Sequence, residues 1–338
     1  MIFLKIKSRF KLKNTIFCVI FFLNSFSASA ATNNKDCSTN TFYIQNVKTD
    51  VTSISILKAK KLAESKAIKL GFKRLLQRLT IKNSIKGFDE LSLQNYINFI
   101  KINKEATSLN RFIGSFDICF NRLVVKRFFK AKQISYAEVF SLPISVLPIY
   151  GGPKGYIFYD KKNEWHKLWI KNIEKYDGLL KFKISSSNIF LKRNLKAKQL
   201  INSNRNEILK ILKFEKTKRL MIVLAEPILL KSGTFAIKIH SKLYNENGDF
   251  VSNIYANVKT YKSFEEVMKH KTISLNQGVK KIIEIFSNNW KKDNLFNDEV
   301  LSQVNLYIPI KQKTNWSNFI RLIDQVPYIN EFRIIGLK

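Results

Sequence analysis

Four small residues at a spacing of four, Ala59, Ala63, Ala67 and Gly71, restrict the fold of this chain more than any other feature. On an α-helix that spacing puts all four on one face, and a face without bulk lets a helix lie close against a sheet. Leu62, Leu70, Leu75, Leu76 and Leu79 flank the stripe, while Lys58, Lys61, Glu64, Lys66 and Lys69 fall on the wet side. The pattern predicts a helix over 53–79. A strand over 41–51 precedes it, with Phe42, Ile44 and Val47 toward one face. A short helix over 93–99 and strands over 100–107 and 111–120 follow, with Asn110 in the turn. A short helix over 123–131 closes a small β-α-α-β-β-α unit. Glu105 and Arg111 are placed to pair across its hairpin.

Residues 132–142 read as a linker, and 143–338 as a larger mixed α/β unit. Its first strand, 143–149, is apolar with edge-like prolines; Gly151-Gly152-Pro153 forms a turn and 156–159 pair back. Asn163 caps a helix carrying Trp165 and Trp169. Strands are expected over 180–184 and 218–230, with a helix over 207–214 between them. Phe235, Ile237, Ile239 and Leu243 then alternate with Lys238, His240 and Lys242, the period of a half-buried strand. Asn247-Gly248 is a strong hairpin signal, and Phe250, Ile254, Ala256 and Val258 continue an antiparallel meander. Ser263 and Glu266 make a capping box. It opens a helical region to Lys292 in which Leu275, Val279, Ile282, Phe286 and Trp290 recur at three or four. A β-α-β tail over 304–309, 316–325 and 328–335 ends the chain. The class is α+β, in two compact domains spanning 41–131 and 143–338.

The N-terminus carries a different kind of information. Lys5, Lys7, Arg9, Lys11 and Lys13 stand there without an acid, the apolar run 16–23 follows, and Ala28-Ser29-Ala30 closes the segment. That order is a secretory signal peptide over 1–30, cleaved between Ala30 and Ala31. The apolar run falls well short of the ~20 residues that a spanning helix needs. Neither Cys18 nor Cys37 has the setting of a lipid-attachment site. Residues 31–40 are polar and read as a disordered N-terminal segment. The expected address is therefore periplasmic. Such a compartment permits disulfides, and Cys37 and Cys119 either form one bridge or stay two unrelated thiols.

The formal charge of +34 sets 59 basic residues against 25 acids. Lysine far outnumbers arginine, whose planar fork is the better reader of phosphates and bases, and no long basic block follows the leader. A solvated basic surface set by genome composition explains this. Nucleic acid is not an expected partner, and weak association with anionic lipid headgroups is an alternative. Chemistry is sparse. His166, His240 and His270 are all expected on solvated surface. No metalloprotease, nucleophile-elbow or phosphate-loop motif occurs, and Gly151 to Gly155 lacks the spacing of a phosphate cradle. The acid pairs Asp89/Glu90, Glu265/Glu266 and Asp298/Glu299 are the candidates for acid–base work, and the middle pair is explained by the capping box. Trp165 and Trp169, four apart, form either a core stripe or, if their rings are partly exposed, a partner surface. No cofactor and no metal site is implied.

Several segments resemble a known family. Lys58-Ala59-Lys60-Lys61-Leu62-Ala63, Leu75-Leu76-Gln77-Arg78-Leu79-Thr80 and Glu105-Ala106-Thr107-Ser108 leading to Arg111-Phe112-Ile113-Gly114 carry the likeness. So do 142–149, Asn163-Glu164-Trp165 with Trp169, and the stretch from Asn315-Trp316 to Val326-Pro327. They are similar to the proteobacterial exported proteins called domain of unknown function 2066, across nearly the whole chain after the leader. Lysine, asparagine and phenylalanine stand here where those proteins often have alanine, arginine and leucine. The resemblance implies export and a two-part layout, and no catalytic residues. The expectation is a non-catalytic periplasmic envelope protein that binds or scaffolds another envelope component. A hydrolase with a dispersed acid pair is the contrary class.

Overall fold

The computed structural model describes residues 2–8, 37, 41–81, 92–152, 155–158, 163–185, 193–256, 259–296, 302–308, 316, 319 and 329–337. They form two compact units, one of Met1–Val139 with Asn294–Lys338 and one of Phe140–Asp293. Both mix helices and sheets, and the fold is α+β. Among the described residues no helix is long and apolar enough to cross a membrane.

The first unit holds β1 (Ile2–Ser8), β2 (Tyr43–Thr52), α1 (Ile56–Leu79), a 3-10 turn (Leu93–Tyr96), β3 (Ile97–Ser108), β4 (Arg111–Phe120) and α2 (Arg122–Ala131). Strands β2, β4 and β3 make an antiparallel sheet in that order. Helix α1 starts one residue after Ser55, whose hydroxyl accepts the Lys58 N–H at 3.3 Å. Its stripe of Ala59, Ala63, Ala67 and Gly71 is buried. A Cβ on Gly71 would stand 2.8 Å from Ile118 Cδ1 of β4, so the helix rides as close to the sheet as the stripe implied. Along β2, Phe42, Ile44 and Val47 are all buried although 44 and 47 differ in parity. A bulge at Asn46, with φ of 54°, restores the inward face. The Asn46 N–H and the Tyr43 hydroxyl both donate to Asp117, at 2.8 and 2.9 Å. Burial pushes the Asp117 pKa up, but donors from Asn103, Asn46 and Tyr43 outweigh it and hold the carboxyl below its ordinary value.

Two expected features of this unit come out differently. Arg111 does not pair with Glu105 across the hairpin. Its guanidinium grips Asp50 at 2.8 and 2.5 Å, while Glu105 meets Lys60 at 2.9 Å. The linker gives the second correction. Tyr136 and Ala137 fold back on the end of α1, and the Ala137 N–H donates to the Leu79 carbonyl at 2.8 Å. The buried Glu138 carboxylate draws in both Arg122 and Lys126 at 2.9 Å. The first unit therefore extends to Val139.

The second unit runs through β5 (Pro143–Gly152), β6 (Gly155–Ile157), α3 (Glu164–Glu174), β7 (Lys181–Ile184), α4 (Ala197–Ile201), α5 (Arg205–Glu215), β8 (Leu220–Leu229), β9 (Phe235–Tyr244), β10 (Phe250–Ala256), α6 (Phe264–Lys269) and α7 (Lys271–Asp293). Its sheet has the order β10-β9-β8-β5-β6, and β7 also pairs with β5. Both β7 and β8 are parallel to β5, β9 is antiparallel to β8, and β10 is antiparallel to β9. Three layers result. Met221, Val223 and Ala225 face a core with Trp165 and Trp169 of α3 and Leu275, Val279 and Ile282 of α7. The alternate residues Leu220, Ile222 and Leu224 face Leu200 of α4 and Ile208, Ile211 and Leu212 of α5. On α7, a Cβ at Gly278 would stand 2.3 Å from Ile239 Cδ1 of β9, so glycine lets this helix approach.

The second domain closes at Asp293, not at the chain end. Phe296 returns to the first unit, donating its N–H to the Tyr136 carbonyl at 2.8 Å and stacking on that ring at 5.1 Å. The remaining strands, β11 (Ser302–Ile308) and β12 (Ile329–Leu337), flank β1 in a three-stranded sheet. The N-terminal part of the expected leader is thus a central strand here.

Candidate functional site

The geometry of the second sheet points to one place. Strand β5 sits where the order reverses: its own following helix α3 lies on one face, and α4 and α5, which lead to β8, lie on the other. In open α/β sheets ligands bind outside the carboxyl ends of the strands at such a point. Here those ends are Gly151 and Gly152 of β5 and Glu226 and Pro227 of β8. An open crevice of about 380 Å³ lies there, lined by these four residues with Gly155, Tyr156 and Phe264.

The glycines make room for it. A Cβ on Gly151 would stand 2.9 Å from Glu226 Cβ and 3.1 Å from Tyr156 Cε1, so any side chain would close the gap between the strands. Gly155 has φ of +103°, a conformation that favours glycine, and it lets the chain turn back into β6. The stretch from Gly151 to Gly155 is then a hairpin, with Gly152 opposite Gly155. Asn163 fixes the next element, accepting the Trp165 N–H at 3.0 Å and donating to the Ile157 carbonyl at 3.2 Å.

The chemistry of the crevice centres on Glu226. Its carboxylate accepts from the Tyr156 hydroxyl at 3.4 Å and lies 3.9 Å from Lys238 Nζ. Burial first, and then the neighbouring carboxylate, raise the Tyr156 pKa, so its hydroxyl stays a donor. Phe264, the first residue of α6, is 41% exposed and rests edge-on against Phe235. Beyond Gly152, Tyr150 carries Lys271 Nζ over its ring at 4.4 Å, and Lys271 reaches Glu164 at 3.5 Å. Thr272 donates its hydroxyl to the same Glu164. This arrangement offers an aromatic wall, a partly buried carboxylate and glycine backbone open to a guest. It is suited to holding a group that donates hydrogen bonds.

The residues singled out from sequence lie elsewhere. Trp165 and Trp169 are 0% exposed, packed edge-to-face at 5.8 Å in the core. The Trp165 indole N–H donates to the Val223 carbonyl at 3.0 Å. They cannot be a partner surface, because the meeting of α3 and α7 over the sheet takes both rings out of solvent. Cys37 and Cys119 form a disulfide with Cα atoms 6.1 Å apart, tying the segment before β2 to β4. Ala30 and Ala31 lie outside the described residues, as do Asp89, Glu90, Asp298 and Glu299. Glu265 and Glu266 sit in the first turn of α6, where Glu266 accepts the Lys262 N–H and donates its own N–H to Ser263. Among the described residues no group of acids, histidines and cysteines could hold a metal ion.

The histidines need correction too. His166 and His240 are each only 7% exposed. His240 lies against the Tyr255 ring of β10 at 5.5 Å, so it is buried and not solvated as its alternation with lysines implied. Burial, with Lys238 and Lys242 beside it, lowers the His240 pKa to about 4. Burial alone lowers that of His166. His270 ends α6 and stacks on Tyr261 at 5.5 Å. Sequence reasoning missed Glu226, Tyr156 and Phe264. The available signal was Glu226 itself, the one acid in an apolar strand, placed directly before a proline.

No family model and no curated protein matches the chain. Among solved structures it is similar to the lipoprotein GNA1162 from Neisseria meningitidis, at 12% identity over 44% of this chain and 99% of that one, with a TM-score of 0.27. Formyltetrahydrofolate deformylase from Burkholderia mallei is matched at 7% identity over 56% of this chain and 86% of that one, with a TM-score of 0.25. Likenesses at these TM-scores carry no functional argument.

Proposed function

We propose that the protein is an exported, non-catalytic binding protein of the bacterial envelope, as the family resemblance implies, and that it holds an envelope component at the β5–β8 crevice. One observation carries the reading. The crevice stands at the strand-order reversal with its carboxylate, Glu226, already engaged by Tyr156 and Lys238. That is a fixed recognition group, held in place by its two neighbours. The leader, with its cut before Ala31, supplies the address.

Crosslinking in the native envelope, with the wild type and a Glu226→Lys/Phe264→Ala variant, tests this. The expected result is one reproducible component that the variant loses while its unfolding midpoint holds. No component, or a component retained by the variant, would overturn the site. Binding to anionic vesicles that collapses with salt and ignores both substitutions would replace it with a lipid-surface reading. Export is tested separately by N-terminal sequencing, where an intact Met1 contradicts it.

A further inference from the structure

Strands β11 and β12 each pair antiparallel with β1, so they run parallel to each other with one strand between them. At ~4.8 Å per strand spacing, their backbones stand roughly 10 Å apart. The register is continuous on the β11 side, from Ile2 opposite Ile308 to Ser8 opposite Ser302. On the β12 side it runs from Ile2 opposite Leu337 to Ser8 opposite Ile329, with shifts at Phe3/Leu4 and Lys7/Ser8. The occupant of this slot belongs to the segment that reads as a removable leader.

Removing that leader takes away the middle strand and leaves both walls. Each wall then presents a row of backbone N–H and C=O groups toward the gap, and such rows are templates for another strand. A strand added to an ordinary sheet edge bonds on one side only. A strand entering this slot bonds on both, as β1 does. We propose that the processed chain takes an extended segment of a partner protein into the slot between β11 and β12, antiparallel to both. The chemistry of that segment is read from the strand seated there now. In Ile2-Phe3-Leu4-Lys5-Ile6-Lys7-Ser8, Ile2, Leu4 and Ile6 recur at every second position, with Phe3, Lys5 and Lys7 at the alternate ones. The partner segment likewise carries aliphatic residues at every second position, with aromatic and cationic residues between, and main-chain pairing supplies its affinity. This inference rests on the export reading, because an uncleaved chain keeps β1 in place.

The probe is the acetylated peptide of residues 2–8, added to the chain beginning at Ala31 and to the full chain. The processed chain should bind it saturably, one to one, at least tenfold more tightly than the full chain. Backbone amides of 302–308 and 329–337 should exchange more slowly when it binds. A peptide with Leu4→Pro, which removes one ladder N–H, should lose at least tenfold in affinity. If truncation prevents folding, the full chain carrying Leu4→Pro and Ile6→Pro empties the slot instead, and it should gain peptide binding. Absence of binding in these chains overturns the proposal, and so does equal binding of the proline peptide. Amides in β11 and β12 already protected without peptide also overturn it, since the two strands would then have closed on each other. An intact Met1 in the native protein sinks the export reading alone, and the peptide result still reports on the slot.

Discussion

Among the described residues, the sheet of β2, β4 and β3 has a helix, α1, packed on one face, whereas the sheet around β5 and β8 has helices on both. That difference decides what each can do. In the first sheet, β3 is exposed over its whole C-terminal half and α1 supplies the packing. In the second, β8 is buried from Leu220 to Ala225, with successive residues entering opposite cores. A sheet covered on one side is a plate on a helix. A sheet covered on both sides, with parallel strands and helices that switch face, has a crevice where the switch occurs. The candidate site therefore lies in the second unit.

Breaking each core should separate the two units. The largest effect is expected for Trp165→Ala, which empties the core between the sheet and helices α3 and α7 and removes the indole donor to the Val223 carbonyl. About 4 kcal/mol should be lost from the second unit, read by fluorescence of Trp169 and Trp290 during urea unfolding, with the first unit unaffected. The first unit depends instead on its staple. Reducing Cys37–Cys119, or Cys119→Ser, opens a link across 82 residues and should cost roughly 3 kcal/mol. Its calorimetric transition should move and that of the second unit should not.

A third test uses acid. The folded His240 pKa of about 4 lies below its ordinary 6.5, so between those values the unfolded chain binds more protons. Stability from this group is complete above about pH 6.5 and is lost as pH falls toward 4, by roughly 2 kcal/mol after allowing for solvent. Urea midpoints of the second unit between pH 7 and 4.5 should follow that slope, and His240→Gln should flatten it. The smallest pair compares the helix approaches directly. Gly278→Ala meets Ile239 at 2.3 Å and should cost about 2 kcal/mol, while Gly71→Ala meets Ile118 at 2.8 Å and should cost about 1. Equal costs would mean that the two helices ride at the same height.

What the sequence made legible follows the same division. The small stripe of α1, the Asn247-Gly248 turn and the Ser263–Glu266 cap are local signals, and each appears where its spacing put it. The helical region to Lys292 is helical as its apolar spacing implies, in two pieces, α6 and α7, that meet at His270. The errors are nonlocal. Period-two reasoning placed His240 in water because it assumes one wet face, but the side chain is buried beside the Tyr255 ring of the neighbouring strand β10. Spacing alone fits Trp165 and Trp169 to a core or to a surface, and the packing of α7 residues against them makes them core. Glu226 gained meaning only when β5 and β8 were found to be parallel neighbours, a pairing across more than seventy residues that no spacing encodes. The division at Asp293 likewise depends on nonlocal contacts, the return of Phe296 to Tyr136 and the pairing of β11 and β12 with β1.

The claim that the β5–β8 crevice is the binding site is tested most directly by placing a photoreactive phenylalanine analogue at position 264 in the native envelope. Leu109, 96% exposed on the first unit, is the control position. A discrete crosslinked envelope component is expected from 264 and none from 109. The same product from both positions, or none from 264, would contradict it.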